Sequence, residues 1–578
     1  MRRLKLVWGS VGLASILVIG CDVPNVSVTQ PTTDARDAIA FTEVTETAGL
    51  SAFKQQTGAA GNKWYPEPMG SGGGFLDYDG DGWQDILLAA GGDWDQATDL
   101  QALWLYRNNG DGTFTETTEA AGLRSIETYA IGVVAADYDN DGDPDVYVTN
   151  LGRNLMLRND GGTFTEVGEA IGVADESIWS SSALFLDADN DGWLDLFVGN
   201  YVEWTPETDI WCPQGSPIKL YCVPATYEGV QSTYYRNRGD GTFENATEAA
   251  GFEGALGKSL GVSEMDLNQD GWSDIAVAND GEGDLLYMND GDGTFTEIGM
   301  RSGFAFSEHG EARAGMGIDS GVVDSSGYTT IFVGNFSEEM VGVYRYLGNG
   351  SFQDRAALSR IGFPSMQTLT FGLFLADFDL DTDLDLYIAN GHVYPDRTGT
   401  GDNITYRQAS QLFLNRGDGV FDEYPASTGL IGDKMVLRGA AYADFDRDGD
   451  LDILTTENDG PAYLWRNDRS DGQFLRVRVE GTASNRDGLG AAIEARVGEL
   501  TMHRRVRTGG SYLASHELAV MFGLGQHDTV DELRIVFPSG QEAVFTDVAA
   551  NQEILVREGE PTFEPVPLYR TTTLAANE

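Results

Sequence analysis

One acidic pattern, D-x-D-x-D-G-x-x-D, recurs along this chain and limits its fold more than any other feature. It begins at Asp77, Asp137, Asp187, Asp266, Asp377 and Asp444. Each copy follows an apolar lead-in and precedes a short apolar run such as "VYVTN" at Val146, "LFVGN" at Leu196 or "LYIAN" at Leu386. Runs of this length, rich in β-branched and aromatic residues and bounded by Gly and Asp, read as strands. A hairpin signal of the "NNGDGTF" kind, at Asn108 in the first copy, follows each run, and a "TE" segment supplies the next strand. A unit repeated at this period is the signature of an array that buries its core only by stacking.

The wide interval between the fourth and fifth acidic loops holds a decayed copy, "AGMGIDSGVVDSSGYTTIFVGNF". Aligned on its neighbours it places Val322, Asp324, Ser326 and Thr330 at the four acidic positions, so it is expected to keep its strands and lose any ion. The count is then seven units, six of them with complete loops. Phe41 to Leu50 ("FTEVTETAGL") is a second half-unit with no loop before it, and the last unit lacks that half. Pairing the two would complete one sheet from both chain ends and leave no open edge, as in a closed ring. The expected fold is all-β: a seven-bladed propeller over 41–474, closed by an N-terminal strand, then a small β-rich domain over 475–560 and a tail over 561–578.

The loops offer side-chain oxygens at positions 1, 3, 5 and 9. In order these are Asp77, Asp79, Asp81 and Asp85; Asp137, Asp139, Asp141 and Asp145; Asp187, Asp189, Asp191 and Asp195. The later sets are Asp266, Asn268, Asp270 and Asp274; Asp377, Asp379, Asp381 and Asp385; Asp444, Asp446, Asp448 and Asp452. The main-chain carbonyl of position 7 adds one oxygen, from Trp83, Asp143, Trp193, Trp272, Asp383 and Asp450. Calcium takes six to eight oxygens in loose geometry, whereas magnesium holds its waters in a stricter octahedron, so calcium at about six sites is the expectation. An EF-hand begins the same way but needs a Glu at position 12. Leu88, Val148, Val198, Val277, Ile388 and Thr455 stand there instead. The alternative is a set of acidic turns without metal, in which crowded carboxylates would repel and shift their pKa values. The Asp377 loop is the weakest, because Thr382 replaces the turning glycine.

Charge and cysteines place the chain. With 91 acidic and 37 basic residues its formal charge is -54, which repels nucleic acid and anionic lipid. Arg2, Arg3 and Lys5 precede an apolar run from Leu6 to Ile19 that is too short for a permanent span. The run ends in Val18-Ile19-Gly20-Cys21 and resembles a bacterial lipobox, which implies a signal peptide over 1–20, lipidation of Cys21 and a flexible linker over 21–40. Asp22 resembles an inner-membrane retention signal, so the envelope membrane that holds the anchor stays open. Cys212 and Cys222 remain as a pair closing a short loop with Pro213, Gly215 and Pro217 inside it. In an oxidising compartment a disulfide is expected, with two free buried thiols as the other reading.

At these residues the chain resembles known families. The repeats resemble FG-GAP/VCBS repeats, the calcium-loop blades of integrin α-subunit-like propellers. The segments "NRDGLGA" from Asn485, "GGSYLAS" from Gly509, "FGLG" from Phe522 and "VDELRIVFPSG" from Val530 resemble the ASPIC/UnbV domain. That domain follows such propellers in the cartilage acidic protein family and its bacterial relatives. The resemblance implies an integrin-α-like propeller with a small β-rich tail domain and supplies no mechanism.

Two functional classes follow. The first is a lipid-anchored binding or adhesion module that recognises an extracytoplasmic protein or glycan through long propeller loops. The largest insertion, Tyr201 to Thr233, carries Trp204, Trp211, Tyr221 and Tyr227, which either face a ligand or pack beneath their own loop. The rival class is a calcium-dependent polysaccharide lyase or hydrolase. For it the chain offers five histidines without zinc-ligand spacing and no nucleophile elbow at Ser511. His392 in "NGHVYPD" is the lone catalytic candidate, against a structural role. A basic run, Arg496, His503, Arg504, Arg505 and Arg507, can dock on the acidic propeller, bind an anionic glycan or simply be solvated.

Overall fold

A computed structural model describes residues 39–568 apart from residues 60, 93–100, 175–178, 214–218, 396–402, 426–428 and 469–471. The lipobox with Cys21, the signal segment, most of the linker and the last ten residues lie outside the described residues. Among the described residues each repeat forms one sheet of four antiparallel strands, and the sheet of the first repeat gains a fifth strand. Their innermost strands are Gly73–Leu76, Ala130–Ala136, Ser180–Leu186, Ser259–Met265, Gly315–Val322, Thr370–Ala376 and Leu437–Ala443. Each neighbours the next around a ring, and Leu437–Ala443 returns to Gly73–Leu76. The last sheet is completed by Phe41–Glu43, which pairs antiparallel with Ala462–Asn467 in the register Phe41 to Asn467 and Glu43 to Trp465. Both chain ends of the ring therefore share one blade, and no edge stays open there.

The decayed fifth repeat keeps all four strands, from Gly315–Val322 to Phe352–Asp354. Its loop carries a built-in cation: Arg345 Nε lies 2.7 Å from the Asp324 carboxylate.

Apolar residues between adjacent blades make the core, for example Leu186, Phe197, Tyr234, Val262 and Phe295. Sheet-on-sheet packing of this kind needs period-2 side chains on both faces, which is why the middle strands read as nearly continuous apolar runs.

The tail domain has two further four-stranded sheets. One is built on Gln473–Glu480, flanked by Val520–Gly525 and Gln552–Arg557; the other on Ala492–Val497 and Thr529–Val536. The first strand starts at Gln473, so it crosses the boundary expected at 474. Between the sheets' strands, the segment Gly509–Ser515 leaves the domain and enters the ring. Its Ala514 and Ser515 pair in parallel with Gly73 and Gly74 as a fifth strand of the first blade. Gly509 bridges Ser263, and Ser511 bridges Ile318. Leu513 N–H donates to Ser182 Oγ and Ser511 Oγ donates to the Ala440 carbonyl. Ser515 Oγ also accepts the Ala135 amide and Tyr512 packs on Phe371, so one short segment touches all seven inner strands. The close approach needs small residues: a Cβ on Gly72 would fall 1.9 Å from the Leu513 carbonyl oxygen, and one on Gly74 2.2 Å from that of Ser515. On the other side Tyr65, Trp179, Tyr201 and Phe371 pack with Tyr512 and Leu513. The axis of the ring is filled. No helix among the described residues is long and apolar enough to cross a membrane.

Candidate metal loops

Each acidic loop joins an inner strand to the next strand of its blade, so all of them lie on one face of the ring. The turn requires two left-handed residues in succession of alternate positions, and the sequence supplies them. Position 4 holds Gly80, Asn140, Asn190, Gln269, Leu380 or Arg447, and position 6 holds glycine in five loops, all at positive φ. Thr382 takes the glycine position with φ 96°, a conformation that strains a β-branched residue. Even so, its amide donates to Asp377 Oδ2 at 3.0 Å, as Gly82, Gly142 and Gly192 donate to Asp77, Asp137 and Asp187. The Asp377 loop keeps its shape.

Three carboxylates converge to within 4.8 Å in five loops: Asp77, Asp79 and Asp85; Asp137, Asp139 and Asp145; Asp187, Asp189 and Asp191; Asp377, Asp379 and Asp385; Asp444, Asp446 and Asp452. The Asp266 loop is not among them. There Asn268 donates its amide to Asp270 at 2.7 Å, and Arg505 Nη1 stands 3.9 Å from Asp266. The position-5 carboxylates are partly used within the loop, because Asp81, Asp141, Asp191 and Asp448 each accept the amide of position 7. The inward oxygens are not all used. Asp77 Oδ1, Asp79 Oδ1, Asp139 Oδ1, Asp444 Oδ2 and Asp446 Oδ1 are buried without a hydrogen-bond donor. Burial, reinforced by neighbouring carboxylates, lifts Asp77 to about 6, Asp137 and Asp187 to about 7, Asp444 to about 8 and Asp145 to about 9. Buried, crowded, unsatisfied carboxylate oxygens in an all-oxygen set are the donor chemistry of a hard cation.

The position-9 aspartates do a second job that reading the loops alone misses. Asp145 accepts the amides of Tyr138 and Asn159, closing the loop on the third strand of its own blade. The side chain of that asparagine then reaches the preceding blade: Asn159 Nδ2 donates to the Tyr78 carbonyl at 2.8 Å. Asn108, Asn237, Asn289, Asn415 and Asn467 make the same tie to Phe445, Tyr138, Ala188, Val323 and Phe378. The signal was in the sequence, in the Asn that six of the seven units carry before the "GDGTF"-type turn. In the fifth blade Tyr346 replaces it.

The tail domain covers this face. Asp487 accepts the Asp137 amide, and the Arg486 amide donates to Asn140. Arg505 Nε reaches Glu264 at 2.8 Å, and Arg507 pairs with Asp319. Of the three readings of the basic run, docking on the acidic propeller holds for Arg505 and Arg507, while Arg496 stays half-exposed beside Asp531 and Glu532. A buried network, Arg476 with Glu517 and Glu553 and Arg447 with Glu553, lies beside the Asp444 loop.

The opposite face holds the long insertion. Cys212 and Cys222 form a disulfide. Trp204 and Tyr227 are buried against Trp64 and Tyr65, so these aromatics pack beneath their loop. Tyr221 donates to Glu67. Trp211 is different, at 62% exposed, with Ile210 at 40% and Val223 at 42% beside it. His392 is wholly buried; its Nδ1 accepts the Tyr394 amide and its Nε2 lies 3.3 Å from Ser337 Oγ, which is a structural arrangement.

Comparison with known proteins agrees with this architecture. Residues 481–562 match the family described as ASPIC and UnbV, and residues 77–148, 137–198, 266–319 and 400–455 match the FG-GAP-like repeat. Human cartilage acidic protein 1 is 25% identical over 351 residues, which cover 58% of this chain and 42% of the human protein. The mouse protein of the same name is 25% identical over 279 residues, 39% of this chain and 42% of the mouse protein. The chain spans less than half the length of these curated relatives. Among solved structures, an Agrocybe aegerita lectin described as recognising non-reducing terminal N-acetylglucosamine covers 67% of this chain and 85% of its own, at 18% identity and TM-score 0.35. BBS1N in complex with ARL6DN covers 73% and 98%, at 12% identity and TM-score 0.39. The chain carries FG-GAP-like repeats followed by an ASPIC and UnbV domain, and it is a homologue of cartilage acidic protein 1.

Proposed function

We propose that this chain is a calcium-stiffened binding module, held at the cell envelope by lipid on Cys21, that recognises an extracytoplasmic protein or glycan. Calcium would sit in the five converged loops, with the Asp266 loop as a weaker sixth site. It would neutralise carboxylates that burial otherwise keeps partly protonated, and so fix the turn that carries each inter-blade asparagine. The ligand surface would be the face opposite the metal loops, because the tail domain covers the loops and fills the axis.

The observation that carries this reading is the disulfide-stapled insertion, which presents Trp211, Ile210 and Val223 to solvent while its other aromatics pack inward. A rigid exposed aromatic beside aliphatic side chains is the usual anchor of a protein or sugar interface. The disulfide also fits an oxidising, extracytoplasmic compartment.

The test is a glycan array and an envelope-protein capture with the full chain, in calcium and in chelator, beside Trp211→Ala. Binding that falls at least tenfold in Trp211→Ala supports the reading. Binding indifferent to Trp211, or none on either panel, contradicts it.

A further inference from the structure

A cavity of about 500 Å³ lies between the tail domain and the ring, against the fourth to seventh blades. Three arginines of one tail-domain segment line it, Arg504, Arg505 and Arg507, together with His503, Glu494 and, from the ring, Ser320. Two of the arginines are committed. Arg505 binds Glu264 and Ser273 Oγ, and Arg507 binds Asp319, Ser263 Oγ and Ser320 Oγ.

Arg504 is not committed. Its Nη1 donates to the His503 carbonyl at 3.0 Å, and its guanidinium lies over the Phe522 ring at 5.5 Å. Its Nε and Nη2 are buried and have no hydrogen-bond acceptor. Those two N–H groups form the side-on fork of a guanidinium, parallel and spaced for two oxygens of one carboxylate or phosphate. A fork left empty in a buried position is costly, and burial lowers the pKa of this group. Asp377, Asp383 and Asp385 act on it through space. Meanwhile Glu264 Oε2, also on the cavity wall, is a buried acceptor without a donor. A molecule with one oxyanion and nearby hydroxyls would satisfy both.

We infer that the cavity between the tail domain and the propeller is a binding site for a small oxyanion-bearing molecule, such as a sugar acid or sugar phosphate, clamped by the free fork of Arg504. The volume is that of a small-ligand pocket rather than a polymer groove. The site stands apart from the insertion surface, and neither depends on the other.

Calorimetric titration of the full chain in calcium buffer, with D-glucuronate, D-glucose 6-phosphate and D-glucose as probes, tests this. Saturable binding of either acid, at least tenfold tighter than glucose, is expected, and the better of the two names the oxyanion. Arg504→Gln should abolish it, and Arg504→Lys, which keeps charge but not the fork, should weaken it at least tenfold. Arg496→Gln should leave it unchanged. If Arg504→Gln does not fold, the Arg504→Lys result decides. Binding of neither acid, glucose binding as tightly as the acids, or Arg504→Lys titrating like the native chain would overturn the assignment.

Discussion

Asn159 Nδ2 donates to the Tyr78 carbonyl at 2.8 Å and so ties the second blade to the first. The amide of the same residue is held by Asp145, which closes the metal loop of its own blade. Loop closure and blade-to-blade contact therefore meet in one asparagine. Asn159→Ala leaves the buried Tyr78 carbonyl and the half-buried Pro144 carbonyl without this donor. The expected loss is about 2 kcal/mol of stability, read from denaturant melts. A loss below about 0.5 kcal/mol would mean that the tie is incidental.

Thr382 occupies a backbone conformation that suits glycine, at φ 96°. Thr382→Gly removes that strain while keeping the amide that binds Asp377. It is expected to stabilise the chain by about 1 kcal/mol and to tighten calcium at this loop. Unchanged or lower stability in calcium would contradict the reading of the residue as a strained substitute.

Without bound cation, the loops should make the fold sensitive to alkali. Burial raises Asp85 to about 8 and Asp145 to about 9, while an unfolded aspartate titrates near 3.9. Between about pH 4 and pH 8 the folded chain then holds more protons than the unfolded chain, so stability falls as pH rises. In chelator the melting temperature should be highest near pH 5 and decline toward pH 8, and millimolar calcium should flatten that decline. A melting temperature that rises with pH in chelator would reverse the sign.

Gly72 leaves room for the Leu513 carbonyl, and Gly72→Ala would place a methyl 1.9 Å from its oxygen. The substitution is expected to cost about 2 kcal/mol and to release Gly509–Ser515 from the ring, seen as new cleavage there in limited proteolysis. Protection equal to the native chain would show that the segment is not seated as described.

Much of the ring was legible because a repeat states its rule several times. Loop spacing fixed strand ends, and the orphan half-unit at Phe41 pointed to closure of the last blade, where Phe41 pairs with Asn467. The stapled loop was legible from two cysteines. Contacts that join distant parts of the chain were harder. The asparagine ties span up to 337 positions, as between Asn108 and Phe445, and no local pattern names their acceptor. The entry of "GGSYLAS" into the axis depends on small residues at matching depth in several strands, such as Gly72, Gly74 and Ser182. The sequence shows those residues, but only the closed ring brings them together. Arg504, Arg505 and Arg507 look alike in the sequence. Their partners on other blades distinguish them.

Native mass spectrometry of the calcium-stripped chain, titrated with calcium, bears hardest on the account of the loops. Five tightly held ions are expected, with a sixth at the Asp266 loop only at higher calcium, and Asp139→Asn should reduce the tight set by one. A chain that takes up no ions at saturating calcium, or whose count is unchanged by Asp139→Asn, would contradict it.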